Sequence, residues 1–138
     1  MRLNLNKMQD DDDPIVQIAS GWFHNAIRTI QGSVYLWGRN DMGQLGTAKG
    51  QKIHKLDIPE CTPSEVLCGS EFSLIWNTKR ELWAAGWNEH GNLGQALEND
   101  GKDHVSESDW FEFRRILQED LGPSRLACGG AHWILFPV

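Results

Sequence analysis

Short runs of apolar residues recur along this chain, and each run is bounded by glycine, proline or a polar turn. The runs "PIVQIAS", "HNAIRTI" and "SVYLWG" follow one another within residues 14–38. The runs "PSEVLCG", "SLIWN" and "ELWAAG" follow in the same order within residues 63–86. Strands of four to eight residues separated by turn signals produce this pattern. The pattern predicts an all-β fold of short antiparallel strands.

The order of the strands repeats because the sequence itself repeats. The segments "IASGWFHNAI" (18–27), "VLCGSEFSLI" (66–75) and "LACGGAHWIL" (126–135) share one glycine and one apolar frame. In the first two copies, which lie 48 positions apart, a second glycine and the tight-turn phrase GxxxxGxLG follow. With a fourth strand at "KIHKLDI" (52–58), each unit of about 50 residues has the four strands of a β-propeller blade.

The second unit has a longer final connection than the first. The stretch from Gly94 to Leu126 is 12 residues longer than the stretch from Gly46 to Val66, and it contains "SESDWFEFRRILQEDLGP". Apolar residues in this piece are spaced by three, four and four positions: Trp110, Phe113, Leu117 and Leu121. This spacing predicts a short helical insertion near residues 108–121, with an edge strand over "WFEFRRI" as the alternative.

The two complete units resemble repeats of the regulator of chromosome condensation family. The resemblance covers roughly residues 15–94, together with 126–136, and it implies a seven-bladed β-propeller. A ring of seven units needs about 350 residues at this period. We therefore expect a partial propeller of two four-stranded blades and half of a third.

The repeat divides the chain into four segments. We expect an acidic N-terminal segment at residues 1–14, a propeller repeat at 15–62, a repeat with the helical insertion at 63–124, and the first half of a terminal repeat at 125–138. Proteins of the resembled family close their ring by completing a terminal blade. We therefore expect this chain to pair with a complementary propeller segment or with itself.

Composition narrows the classes of partner and compartment. The net charge is −6, so the basic face that phosphate contact requires is not expected, and a basic protein partner is favoured over nucleic acid. The three cysteines form no CxxC pair, which fits a reducing compartment. No apolar run reaches the length of a membrane span or a signal peptide. We expect a cytoplasmic protein, with the nucleus as the alternative.

The sequence predicts no catalytic, cofactor-binding or metal-binding site. His24 and His132 share one repeat position, which Phe72 occupies in the middle copy, so we interpret them as packing or backbone-bonding residues. Cys68 and Cys128 also share a repeat position and are interpreted as small buried residues rather than nucleophiles.

Seven tryptophans, an unusual number for 138 residues, favour a contact surface instead. Register-matched loops on neighbouring blades should share one face, and loop tips on a rigid scaffold commonly carry binding residues. The first candidate patch combines Trp22 and Phe23 with Glu71. The tight turn of the second unit supplies a second patch of Trp87, Glu89 and His90. The predicted protein-binding residues are Trp22, Phe23, Glu71, Trp87, Glu89, His90 and Trp110.

These features favour a non-enzymatic regulatory scaffold. Within the family, the phrases "WNEHGNLG" and "CGGAHWILFPV" most resemble the last repeats of two subgroups. The first regulates the tRNA-modifying Elongator complex and diphthamide synthesis, which implies a small metal-binding partner protein. The second, the secretion-regulating guanine nucleotide exchange factors, implies the alternative of exchange or regulation on a small GTPase. A further alternative is ultraviolet sensing, because "GWFH" is similar to a phrase of the plant ultraviolet-B receptor.

Overall fold

Three antiparallel sheets account for the strands in the described part of this protein. The computed structural model describes residues 12–48, 52–94, 97, 108–118 and 123–138, and within them ten strands form sheets of four, four and two strands. No helix forms in this described part of the chain. The expected partial propeller of two four-stranded blades and half of a third is confirmed, apart from its helical insertion.

The first blade is a meander whose strands pair in chain order. The connection between its second and third strands contains Gly32 at φ 91°, a conformation that glycine adopts readily in turns. The strands are β1 (Ile15–Ser20), β2 (His24–Thr29), β3 (Val34–Gly38) and β4 (His54–Lys55).

The second blade repeats the first in its first three strands. Phe72 pairs with Gly86 as His24 pairs with Gly38, so the third strands of the two blades are equivalent. This equivalence confirms the 48-residue repeat at the level of strand register. The strands of the second blade are β5 (Pro63–Cys68), β6 (Phe72–Asn77), β7 (Glu81–Trp87) and β8 (Asp109–Gln118).

The predicted helix near residues 108–121 is wrong, because residues 109–118 form β8, the alternative that the sequence left open. β8 pairs antiparallel with β7, from Trp87↔Asp109 to Glu81↔Gln118, and satisfies the otherwise open edge of that strand. Two register shifts interrupt this pairing and break the strict alternation of a strand. Because of these shifts, the apolar residues Trp110, Phe113 and Leu117 of a strand have the sequence spacing of a helix. Leu121 lies outside the described residues.

The third sheet is a two-stranded hairpin of β9 (Ser124–Cys128) and β10 (Trp133–Pro137). Its register, with Leu126 opposite Leu135, matches Val66 opposite Ile75 in the second blade. The hairpin therefore corresponds to the first two strands of a blade.

The hydrophobic cores lie between consecutive blades. Between the first and second blades, Ala26, Val34 and Leu36 are packed with Val66 and Ile75. A second cluster joins the second blade to Leu126 of the hairpin, and its buried members from the second blade include Leu74, Leu82 and Ala84. The blades are thus stacked face to face, which fixes the relative positions of their loops.

A polar contact reinforces the stacking of the first two blades. The Gln17 side-chain amide donates to the Val66 carbonyl at 2.9 Å and accepts from the Val66 backbone N–H at 3.0 Å. Because this pair satisfies both backbone groups of a buried residue, it fixes the register between the blades.

Gly38 is the last residue of β3 and Gly86 the last but one of β7, and their φ angles of 115° and 118° are ones that side chains rarely adopt. A Cβ at Gly86 would lie 2.5 Å from the Glu71 carbonyl oxygen and 2.6 Å from the Phe72 Cα. Both glycines therefore lie against a closely packed neighbour where the strand enters the tight turn.

Candidate functional site

The loops that follow the first repeat glycine lie side by side at one end of the blades. The Trp22 backbone N–H donates to the Ser70 carbonyl at 3.1 Å, and the Ser70 N–H donates to the Gly130 carbonyl at 2.9 Å. These residues occupy the same repeat position in three consecutive sheets. The backbone ladder therefore brings the loops together as the register predicts.

Each tight turn is tied to the loop of its own blade. The Arg39 N–H donates to the Phe23 carbonyl at 2.8 Å, and at the equivalent position the Trp87 N–H donates to the Glu71 carbonyl at 2.9 Å. We call the surface formed by these loops and turns the loop face: Trp22, Phe23, Arg39, Asp41, Glu71, Trp87, Glu89 and His90.

Trp22 and Phe23 project from the loop face into solvent. Their exposed fractions are 69% and 58%, whereas large aromatic side chains usually lose most of their surface on folding. The Arg39 guanidinium lies 5.3 Å from the centroid of the Phe23 ring. The loop face therefore presents two adjacent aromatic side chains, with a cation stacked on one of them.

Glu71 lies beside this aromatic pair and is linked to it through Arg39. Arg39 pairs with Asp41 and approaches Glu71, with 3.7 Å between Nη1 and Oε1. The hydrogen bond from Arg39 lowers the pKa of Asp41 below its ordinary value. Arg39 was missed by the sequence analysis, which compared the loops but not the first residue of each tight turn.

The second predicted patch, on the turn of the second blade, also lies on the loop face. The Trp87 indole N–H donates to Glu89 Oε2 at 3.2 Å, and the His90 ring stands nearly perpendicular to the indole with centroids 5.2 Å apart. Glu89 and His90 are exposed, and Trp87 is half-buried. The structure therefore places these three side chains together.

Trp110 does not belong to this surface, and its prediction as a contact residue is wrong. Its exposed fraction is 0%, and it packs in the core cluster with Phe72, Leu82 and Leu93. The physical reason is the strand pairing, since β8 sets Trp110 opposite Gly86 of β7 and places its indole in the core cluster.

Carboxylates dominate the electrostatics of the loop face. Asp109, at the start of β8, has its pKa raised first by burial and then by the negative charges of Glu89, Asp41 and Glu71. One Asp109 oxygen, Oδ1, is buried and has no hydrogen-bond partner. The aromatic side chains therefore border four carboxylates, which we call the acidic strip: Asp41, Glu71, Glu89 and Asp109.

His24 connects the two blades beneath the loop face. Its Nε2 lies 3.0 Å from Ser73 Oγ, and the Ser73 hydroxyl donates to the Gln44 carbonyl at 2.7 Å. Since the hydroxyl proton is used in the second bond, Nε2 must carry the proton of the first. Burial lowers the pKa of His24 to about 4. This neutral, fully buried histidine positions neighbouring blades, in line with its prediction as a packing residue.

A groove away from the loop face was not anticipated from the sequence. It has a volume of about 570 Å³ and lies between the outer strands of the two blades, where its lining includes His54, Asp57, Trp83, Glu112 and Phe113. Sequence reasoning missed it because Glu112 and Phe113 had been assigned to a helix.

The described residues contain neither a metal-binding cluster nor a membrane-spanning helix. No group of three or more histidine, cysteine, aspartate or glutamate residues in this part of the chain is placed to hold a metal ion. None of the described segments forms a helix long and apolar enough to cross a membrane.

Comparison with known proteins identifies the repeat. Residues 15–44 and 31–76 match families described as "Regulator of chromosome condensation (RCC1) repeat". The chain is 36% identical over 110 residues to the secretion-regulating guanine nucleotide exchange factor of Bos taurus, covering 64% of this chain and 23% of that protein. It is 40% identical over 93 residues to the Protein RCC2 homolog of Xenopus laevis, covering 63% and 17%.

Solved structures show the same fold. Prp20p from Saccharomyces cerevisiae, studied for its binding to Gsp1p and histones, matches with a TM-score of 0.68 and 22% identity over 88% of this chain and 30% of its own. Human WBSCR16 matches with a TM-score of 0.68 and 22% identity over 94% and 32%. This chain thus spans less than a third of each of these relatives and solved chains.

Proposed function

We propose, on the premise that this chain is built from repeats of the regulator of chromosome condensation family, that it is a non-enzymatic regulatory propeller segment that binds another protein through its loop face. The observation that carries this proposal is the exposure of Trp22 and Phe23, at 69% and 58%, on adjoining residues of a loop held in a backbone ladder. Aromatic side chains on a rigid support give large contact area at low entropic cost.

The relatives supply a second candidate function, exchange or regulation of a small GTPase. Its support is the printed name of the Bos taurus relative, a secretion-regulating guanine nucleotide exchange factor, of which this chain spans 23%. The narrower hypothesis of regulating Elongator and diphthamide synthesis through a small metal-binding partner has no support among the relatives named above. We expect either regulatory role in the cytoplasm or nucleus.

The ultraviolet-sensing hypothesis is less favoured. It needs tryptophans in neighbouring blades, but the backbone ladder joins Trp22 to Ser70 and Gly130.

Site-specific crosslinking tests the proposed face. A benzoylphenylalanine placed at residue 23 should form a discrete protein adduct in cells, because Phe23 is exposed on the loop face. The matched control is the same group at residue 30, since Ile30 is 61% exposed just beyond the opposite end of β2. Equal adducts from both sites, or none from residue 23, would overturn the proposal.

A release assay separates scaffold from exchange factor. Small GTPases loaded with a fluorescent guanine nucleotide are mixed with the chain, and nucleotide release is followed over time. A scaffold leaves the release rate unchanged. Accelerated release that the double variant Trp22→Ala, Phe23→Ala abolishes, and Ile30→Ala keeps, would establish exchange through the same face.

A further inference from the structure

The tight turns of the two blades place different residues in equivalent positions. Arg39 and Trp87 lie 48 positions apart, and each backbone N–H donates to the carbonyl of the loop in its own blade. Asp41 and Glu89 are likewise 48 positions apart. The two turns therefore differ in one important respect: an arginine precedes the carboxylate in the first blade, and a tryptophan precedes it in the second.

The first turn shows how this arrangement holds a guanidinium. Arg39 forms hydrogen-bonded ion pairs with Asp41, approaches Glu71 at 3.7 Å and lies over the Phe23 ring. A planar guanidinium suits such a site because it forms directional hydrogen bonds to carboxylates and stacks on aromatic rings. The first blade therefore fills this site with its own side chain.

The second turn has the carboxylate and an aromatic ring, but residues 87–94 contain no arginine or lysine. One Glu89 oxygen accepts the Trp87 indole N–H, and neither Glu89 nor Asp109 forms an ion pair among the described residues. Asp109 Oδ1 is buried without a hydrogen-bond partner. Asp109 and Glu89 repel each other, and a cation that a second molecule brings to the exposed Glu89 would offset this repulsion.

We propose that the turn formed by Trp87 and Glu89, with Asp109 beside it, binds an arginine side chain of a protein partner. The guanidinium stacks on the indole and pairs with the carboxylates, as Arg39 does within the first blade. This inference rests on the proposed function, which supplies a protein partner, and it specifies that the partner presents a basic segment to the acidic strip. It also explains why a chain with a net charge of −6 concentrates carboxylates around exposed aromatic side chains.

The probe is a short acetylated and amidated peptide of alternating glycine and arginine, and the readout is the indole N–H resonance of Trp87 in nitrogen-15 spectra. We expect a saturable shift of this resonance. The same peptide with neutral citrulline in place of arginine should leave it unchanged. Loss of one charge by Glu89→Gln should weaken binding by about two- to fivefold, the upper range of a single exposed ion pair, since the indole remains.

Two variants separate a specific site from general charge attraction. Glu60→Gln removes the same charge from an exposed side chain elsewhere, 86% exposed, and should leave the affinity unchanged. Trp87→Arg supplies an internal guanidinium at the position that Arg39 holds in the first blade. Because it removes the reporting indole, its affinity is measured by calorimetry, and it should lose peptide binding while the melting temperature is preserved. Binding of the citrulline peptide, or equal losses in Glu60→Gln and Glu89→Gln, would overturn the inference.

The proposed function and this inference can fail separately. A residue-23 adduct in cells without any shift by the arginine peptide would refute the arginine site and keep the protein-binding face. A specific peptide shift without an adduct would keep the arginine site and refute the aromatic pair as the partner contact.

Discussion

At the scale of single residues, His24 couples the contact between blades to pH. Burial, partly opposed by a backbone hydrogen bond with Phe72, lowers its pKa from 6.5 to about 4. Between these values the unfolded chain binds a proton that the folded chain excludes, so the free energy of unfolding should fall as the pH decreases from 6.5 towards 4. The full loss is about 3 kcal/mol, since one pKa unit corresponds to about 1.4 kcal/mol.

Denaturant unfolding at several pH values measures this contribution. His24→Phe introduces the residue type that the second blade carries at the equivalent position, Phe72. It should reduce the change in the free energy of unfolding between pH 6.5 and 4. His132→Phe is the matched control because His132 is exposed at the same repeat position, and it should keep the wild-type slope. Identical slopes for wild type and His24→Phe would contradict the prediction.

The backbone of Gly86 gives a second prediction at this scale. Gly86→Val should lower the free energy of unfolding by about 2–4 kcal/mol, because it adds a β-branched side chain at φ 118° and a clash with the Glu71 carbonyl oxygen. Gly91→Val isolates the conformational part, since Gly91 has φ 67° and open space around it, and should cost about 1–2 kcal/mol. Chemical denaturation of both variants checks the difference, and equal losses would exclude the clash.

The residues of the candidate site were only partly predictable. The repeat register was enough to place Trp22, Phe23 and Glu71 on adjoining loops, because equivalent loops of stacked blades must lie together. It could not show that Arg39 stacks on Phe23, since that contact depends on side-chain conformations. It also could not show that Trp110 pairs with Gly86 and is buried, because the two residues meet only through β8.

At the scale of whole elements, β8 is the strand that the hydrophobic pattern predicted as a helix. Trp110, Phe113 and Leu117 have helical spacing, yet β7 offers an open edge and a core surface that only a strand can use. Tertiary hydrogen bonding thus overrides the local pattern. The other strands were predictable because glycine, proline and turn residues mark their ends in two aligned copies.

The burial of Trp110 makes β8 testable. Trp110→Ala should lower the free energy of unfolding by about 3–5 kcal/mol, the usual cost of removing a large buried aromatic side chain. Phe111→Ala on the same strand is the matched control, because Phe111 faces the other side and is 36% exposed, and it should cost far less. Similar losses in urea unfolding would show that β8 does not pack as described.

At the scale of the whole molecule, the two outer sheets present faces that the repeat buries elsewhere. Ile18 is 70% exposed in the first blade, while its equivalents Val66 and Leu126 are 0% and 8% exposed because a preceding blade covers them. On the opposite side, Ile134 of the hairpin is 57% exposed, although its equivalents Ala26 and Leu74 are fully buried. These comparisons favour a further blade, or another copy of the chain, on each face.

The 138-residue chain should therefore self-associate unless a complementary propeller segment is supplied, because stacking the two outer faces buries apolar side chains in the way the internal blades do. Sedimentation velocity across a range of concentrations should show association that Ile18→Lys, Ile134→Lys reduces, since buried charges without partners oppose stacking. The control Ile30→Lys adds a lysine in the β2–β3 turn, at a position that is 61% exposed and away from the two outer faces. It should leave association unchanged. A protease-resistant monomer at high concentration would show that the faces need no cover, and the repeat comparison at Ile18 would then require another explanation.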